Sequence, residues 1–120
     1  MDVTLDFLIY FGWSLLYCSP LLIFFCFIIF GTGFLVGRLE EWSWTDTIYW
    51  TIITATTVGY GDLRPSKYRS RIYTVTVVLV GMMFTGVVVA ITIAATTETL
   101  KRHINVEAAQ ERFVRPKQMK

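Results

Sequence analysis

Charge is the scarcest thing in this sequence. Only 17% of its 120 residues are charged, against 54% hydrophobic and 16% aromatic, with a mean hydropathy of +0.53. A soluble domain usually carries about 25% charge and about 45–50% apolar residues. A chain this short hides only roughly 60–70% of its unfolded surface, so a soluble monomer would leave much of the apolar excess in water. Disorder is excluded by the same composition. Histidine is single: His103 stands without companion ligands, which excludes a clustered metal site. Cysteine is limited to Cys18 and Cys26. Eight residues apart in apolar sequence, they suit one helix face rather than a disulfide, and we read both as small hydrophobes. No basic segment precedes the first apolar run, where Asp2 and Asp6 sit instead, so a signal peptide is not expected.

The charges that exist divide the chain. Phe7–Gly37 holds none over 31 residues, Thr47–Gly61 none over 15, and Ile72–Thr97 none over 26. A bilayer core about 30 Å thick needs about 20 helical residues. The first and third runs can cross it. The middle run, at about 1.5 Å per residue, reaches only about 22 Å. These uncharged spans carry no acid–base pair or nucleophile constellation, which argues against an enzyme.

Ser19-Pro20 punctuates the first run as an N-cap and first-turn proline would. It places the outer helix at about 20–39. Residues 1–19 then either lie along the interface or extend the same helix, with Tyr10, Trp13 and Tyr17 suited to an interfacial belt. Arg38–Trp44 reads as the chain emerging at water, and Ser43-Trp-Thr-Asp46 as a capping box opening a short helix at about 44–56. A helix too short to cross must enter and turn back. Irregular backbone at membrane depth is tolerated only when packed in protein or lining a water-filled cavity, so this element points to a pathway.

The turn itself reads Thr54-Ala55-Thr56-Thr57-Val58-Gly59-Tyr60-Gly61-Asp62. This string, lying between two spanning segments, resembles the signature filter of potassium channels. The resemblance covers roughly residues 20–97 and is to the two-transmembrane-helix prokaryotic type, which includes a proton-gated streptomycete member. It implies an all-α membrane protein: two transmembrane helices flanking a re-entrant pore helix and a filter at 57–62, assembled as a homotetramer. It implies potassium sites built by four copies of Thr57, Val58, Gly59, Tyr60 and Gly61, supported by Tyr49, Trp50, Ile53 and Asp62. The physics agrees. A pore that dehydrates potassium must replace its oxygen shell from several chains at once. Carbonyls can do so if alternate residues sit near the left-handed region, which Gly59 and Gly61 permit.

The sequence also departs from the family. Ile53 stands where the streptomycete member has a glutamate behind the filter, so Asp62 needs another partner, with Tyr49 the candidate. Arg64 stands where an aromatic often favours quaternary ammonium block, which predicts weak external block by tetraethylammonium.

The inner helix is expected at about 70–97. Gly81, near its middle, is the family's bending point by resemblance; close packing explains it equally well. Gly86, Ala90 and Ala94 recur as a small-residue stripe. Thr85, Val89 and Ile93 share one face, and the last two suit a hydrophobic gate that closes by dewetting. Residues 98–120 form a basic tail, helix-compatible at its start, with a Glu98–Arg102 pair at i,i+4. His103, Glu98 and Glu107 are the candidate pH sensors. Lys101, Arg102, Arg112, Arg115, Lys117 and Lys120 suit either anionic lipid or simple solvation. Nucleic acid is not expected as a partner, since no aromatic or glycine motif accompanies these charges. No arginine-spaced voltage-sensing helix is present.

The function expected is passive, potassium-selective conduction without a cofactor, potassium being the permeant ligand. The alternatives are a weakly selective cation channel, the pore module of a larger gated channel, or a non-conducting hairpin subunit. The expected location is a cell membrane with both termini cytoplasmic. Lysine and arginine number 5 between the spans and 6 outside them, so the positive-inside rule barely chooses, and the orientation rests on the resemblance.

Overall fold

The computed structural model describes residues 2–118, with side chains as far as Arg115. Lys120 of the basic tail lies outside the described residues, and of Lys117 only the backbone is described. Three helices follow in order: α1 (Val3–Glu40), α2 (Trp44–Ala55) and α3 (Tyr68–Gln118). Two are long and apolar enough to cross a membrane.

Helix α1 does not begin at Pro20. It is a single helix of 38 residues that carries the proline inside it. Signals at Ser19-Pro20 that would start a helix in water do not break one whose alternative is unpaired backbone in lipid. Residues 3–19 therefore extend the outer helix, the second of the two arrangements left open above. α1 ends in a Schellman turn. Glu41 stands at φ 61° and the Trp42 N–H donates to the Gly37 carbonyl at 3.0 Å. α3 likewise starts at Tyr68 and continues through the expected end near residue 97, reaching Gln118.

The structure divides into two compact units, each described by itself. One, from Cys18 to Val88, holds α2 between the end of α1 and the start of α3. Its core is Ile29, Val36, Trp50, Ala55 and Val77, with Trp42, Leu63, Val80 and Phe84 packed against them. Trp42 and Trp50 pack with their rings tilted at 59°, centroids 5.4 Å apart. Small residues allow the close approach. A side chain on Gly33 or Gly37 would overlap Thr51 or Thr47 of α2, and one on Gly81 would overlap the Ala55 backbone. In lipid such packing replaces the hydrophobic drive as the source of helix association. The threonine hydroxyls are satisfied within α2: Thr51 Oγ1 donates to the Thr47 carbonyl at 2.7 Å, and Thr47 Oγ1 to that of Ser43 at 2.8 Å.

The other unit comprises the residues up to Tyr17 and those from Val89 on. Asp6 is buried there at 6% exposure. His103 Nε2 lies 3.2 Å from its Oδ2, the only ion pair within 4 Å among the described residues. Arg102 does not pair with Glu98; it donates to the Tyr10 hydroxyl at 3.0 Å. An i,i+4 pair on an exposed helix contributes only about 0.2–0.5 kcal/mol, too little to hold the side chain against a competing partner.

Candidate functional site

Helix α2 is aimed by its caps. Ser43 is the N-cap, its side chain accepting the Asp46 N–H at 3.2 Å. At the other end Thr56 is the C-cap, and Thr57 follows at φ 64°. The Thr57 N–H donates to the Thr54 carbonyl at 3.1 Å and the Gly59 N–H to that of Ile53 at 3.0 Å. A β-branched residue in the left-handed region costs about 1–3 kcal/mol. It recurs here as a pattern: Thr57, Gly59 and Gly61 have φ of 64°, 52° and 77°, while Val58 and Tyr60 keep ordinary values. Glycine takes such values freely; threonine has to be held there. Alternation of this kind turns successive peptide planes the same way and lines up their carbonyls.

Among the described residues nothing donates to the carbonyls of Thr57, Val58, Gly59 or Tyr60, and all four residues are exposed. Buried carbonyls rarely go unpaired; these, being exposed, are open to water or to a ligand. The first unpaired carbonyls of the turn also sit at the C-terminal, partly negative end of α2.

The surroundings hold this segment at several points. Trp50 is buried at 3% exposure, and Ile53 is buried with its carbonyl occupied by Gly59. The Tyr49 phenol lies beside the Asp62 carboxylate. Asp62 Oδ1 also accepts the Leu63 N–H at 3.1 Å, and the Arg64 Nε–H donates to the Gly61 carbonyl at 2.9 Å.

Glu40 was not legible as part of this scaffold. Its carboxylate accepts the Ser66 N–H at 3.0 Å, the Ser66 hydroxyl at 2.6 Å and the Lys67 N–H at 2.9 Å. The Lys67 ammonium in turn donates to the Leu39 carbonyl. The end of α1 is thus tied to the loop that leads from Gly61 into α3. Partial desolvation raises the Glu40 pKa, but the hydrogen bonds from Ser66 and Lys67 outweigh it and pull the group down from 4.5 to about 2.

The remaining expected site residues fall along α3. Gly81 is buried against Ala55, whereas Gly86 faces open space. Thr85, Val89 and Ile93 are exposed on the single chain, as are Glu98 and Glu107. His103 pairs with Asp6, a residue the sequence offered only as an N-terminal acid.

These features define a class before any comparison. Two apolar helices of spanning length flank a short helix and a turn that presents carbonyls, the plan of a membrane channel protein. The family described as Ion channel matches residues 3–98, and the chain belongs to that family, not to a family of enzymes. It is a membrane protein. Its relatives are potassium channels. It is 33% identical over 88 residues to "Probable potassium channel protein 2" of Methanocaldococcus jannaschii, covering 73% of this chain and 23% of that one. It is 29% identical over 100 residues to "TWiK family of potassium channels protein 18" of Caenorhabditis elegans, covering 81% and 20%. A stretch of 35 residues is 51% identical to "TWiK family of potassium channels protein 7" of the same organism, 29% of this chain and 6% of that one. The chain thus spans less than a quarter of the length of these relatives. No solved structure shows significant similarity to it.

Proposed function

We propose that the chain is one quarter of a homotetrameric, potassium-selective channel that conducts passively, without enzymatic chemistry or a resident cofactor. The observation that carries this reading is the alternation of left-handed residues at Thr57, Gly59 and Gly61, with the unpartnered carbonyls it presents. Four such rows around an axis replace the oxygen shell of a potassium ion. One chain alone supplies a quarter of that shell. In this reading α2 is the pore helix, 57–62 the filter, and Tyr49, Trp50, Ile53 and Asp62 its support. Thr85 faces the cavity, and Val89 and Ile93 close it by dewetting. Gly86, with open space around it, is better placed to bend than Gly81. His103, Glu98 and Glu107 are the candidate pH sensors, the titratable groups beyond the gate. Both termini are cytoplasmic, and the basic tail from Lys101 meets anionic lipid.

The test is reconstitution into liposomes under a potassium gradient, reading flux and reversal potential in potassium against sodium. A reversal potential that follows potassium supports the reading; flux in neither ion, at any pH or voltage, defeats it. The short coverage of the relatives supports a second reading, in which the same quarter-pore is the module of a larger gated channel. A weakly selective cation pore is the outcome if sodium and potassium reverse alike.

A further inference from the structure

Arg64 is a residue of the site that filter support leaves unused. It is exposed, three residues past the last filter glycine, yet it does not point away. Its Nε–H donates to the Gly61 carbonyl at 2.9 Å. A side chain on Gly61 would meet the guanidinium, Nη2 at 3.4 Å and Nε at 3.5 Å, so the flat group lies against the glycine itself. No acid pairs with it: Asp62 accepts the Leu63 N–H, and no Arg64 ion pair within 4 Å exists among the described residues. A side chain there would only touch it, and it is the backbone φ of 77° that favours glycine at position 61.

We propose that Arg64 sets the loop-side mouth of the pore in two ways, holding the outermost carbonyl, Gly61 O, in place and fixing an unpaired positive charge beside the ion entry. The inference rests on the tetrameric reading above, which repeats that charge four times around the axis. A carbonyl has two acceptor sites. Arg64 occupies one at Gly61 and leaves the other toward the axis, so the last carbonyl ring is oriented but electrostatically weakened for a cation. Arginine is suited to this because its planar fork makes a directed hydrogen bond while keeping its charge; lysine supplies the charge without the fixed direction.

The magnitude follows from Coulomb's law with screening. Four unit charges about 10 Å from an ion in water change its local concentration about sevenfold at 10 mM salt and about threefold at 0.1 M. At 1 M, with a Debye length of about 3 Å, the effect falls to about 1.1-fold. Because the ratio compares channels that differ only at position 64, the Asp62 charges cancel from it.

The experiment measures unitary current carried from the loop side in symmetrical KCl from 10 mM to 1 M, for wild type, Arg64→Gln and Arg64→Lys. Arg64→Gln is expected to raise current about sevenfold at 10 mM and to merge with wild type at 1 M. Arg64→Lys is expected to keep the wild-type salt dependence but to shorten conducting bursts, since the Gly61 carbonyl loses its directed donor. A salt series for Arg64→Gln that superimposes on wild type overturns the charge role. Bursts in Arg64→Lys as long as in wild type overturn the holding role. Wild-type protein that carries no potassium at all overturns the tetrameric reading, and this inference with it, whereas conducting variants that match wild type sink this inference alone.

Discussion

Neutralising Glu40 should uncouple the end of α1 from the loop that leads from Gly61 into α3. The carboxylate takes three hydrogen bonds from Ser66 and Lys67, and its pKa falls from 4.5 to about 2. Taken at face value, at about 1.4 kcal/mol per unit, that shift amounts to roughly 3 kcal/mol. The group lies past the charge-free run, close to water, so screening reduces the figure to about 1–2 kcal/mol. Glu40→Gln keeps the shape and one acceptor but loses the charge, and should lose most of that stabilisation. The folded pKa lies below the free value, so the contribution is complete above about pH 4.5 and is lost as the pH falls through about 2. Trp42 and Trp50 report the adjoining core, so thermal unfolding in detergent can be followed by tryptophan fluorescence at pH 7 and pH 2. The variant should unfold several degrees below wild type at pH 7, and the two should converge at pH 2. Other carboxylates titrate in the same window, but they do so in both proteins and drop out of the difference. Equal melting at pH 7, or a gap that persists undiminished at pH 2, would refute the clamp.

Two further substitutions separate the glycines of α3. Gly81→Ala forces a methyl group into the Ala55 backbone and should cost about 1–3 kcal/mol as overpacking, whereas Gly86→Ala meets nothing and should gain up to about 1 kcal/mol of helix propensity; melting temperatures moving in the same direction would contradict the packing described. Asp6→Asn should cost about 1–3 kcal/mol by leaving a buried group poorly matched to His103. A double-mutant cycle with His103→Gln, read by the same melting assay, should show a coupling of at least about 0.5 kcal/mol, and strict additivity would mean that the 3.2 Å contact contributes nothing.

Much of this architecture is legible in the sequence because lipid makes charge placement nearly decisive. Three charge-free runs, one too short to cross, specify two spans with a short helix between them, and Ser43 marks where that helix starts. The boundaries misread were those where rules learned in water were applied to lipid. Ser19-Pro20 has the residues of a helix start, but an interruption at membrane depth would leave backbone groups unpaired, and the helix runs on. The contacts missed were those that depend on distance in the chain. Gly33 and Gly37 are visibly four apart, but only the fold shows that they receive Thr51 and Thr47. Glu40 reads as one acid among interfacial residues until the loop 26 residues later returns its amides. Thr57 is the subtler case: the glycines announce positive φ, whereas a threonine ordinarily argues against it, so the third member of the alternation appears only in the backbone.

That third member sets the segment apart from an ordinary turn. Two glycines with positive φ can close a loop at no cost in strain, and a loop needs nothing more. A threonine held at φ 64° costs roughly 1–3 kcal/mol, and the surroundings must hold it there: the Thr54 and Ile53 carbonyls below it and the Arg64–Gly61 bond beyond it. What that expenditure secures is an unbroken row of carbonyls, which in a single chain have no partner. Only 28% of the apolar window of α1 and 17% of that of α3 are buried within one chain. Lipid can cover apolar side chains, but it offers no donor or charge to a carbonyl. In the tetrameric channel proposed above, cations and the neighbouring copies of the chain supply what the row lacks, and Thr85, Val89 and Ile93 face the same pathway.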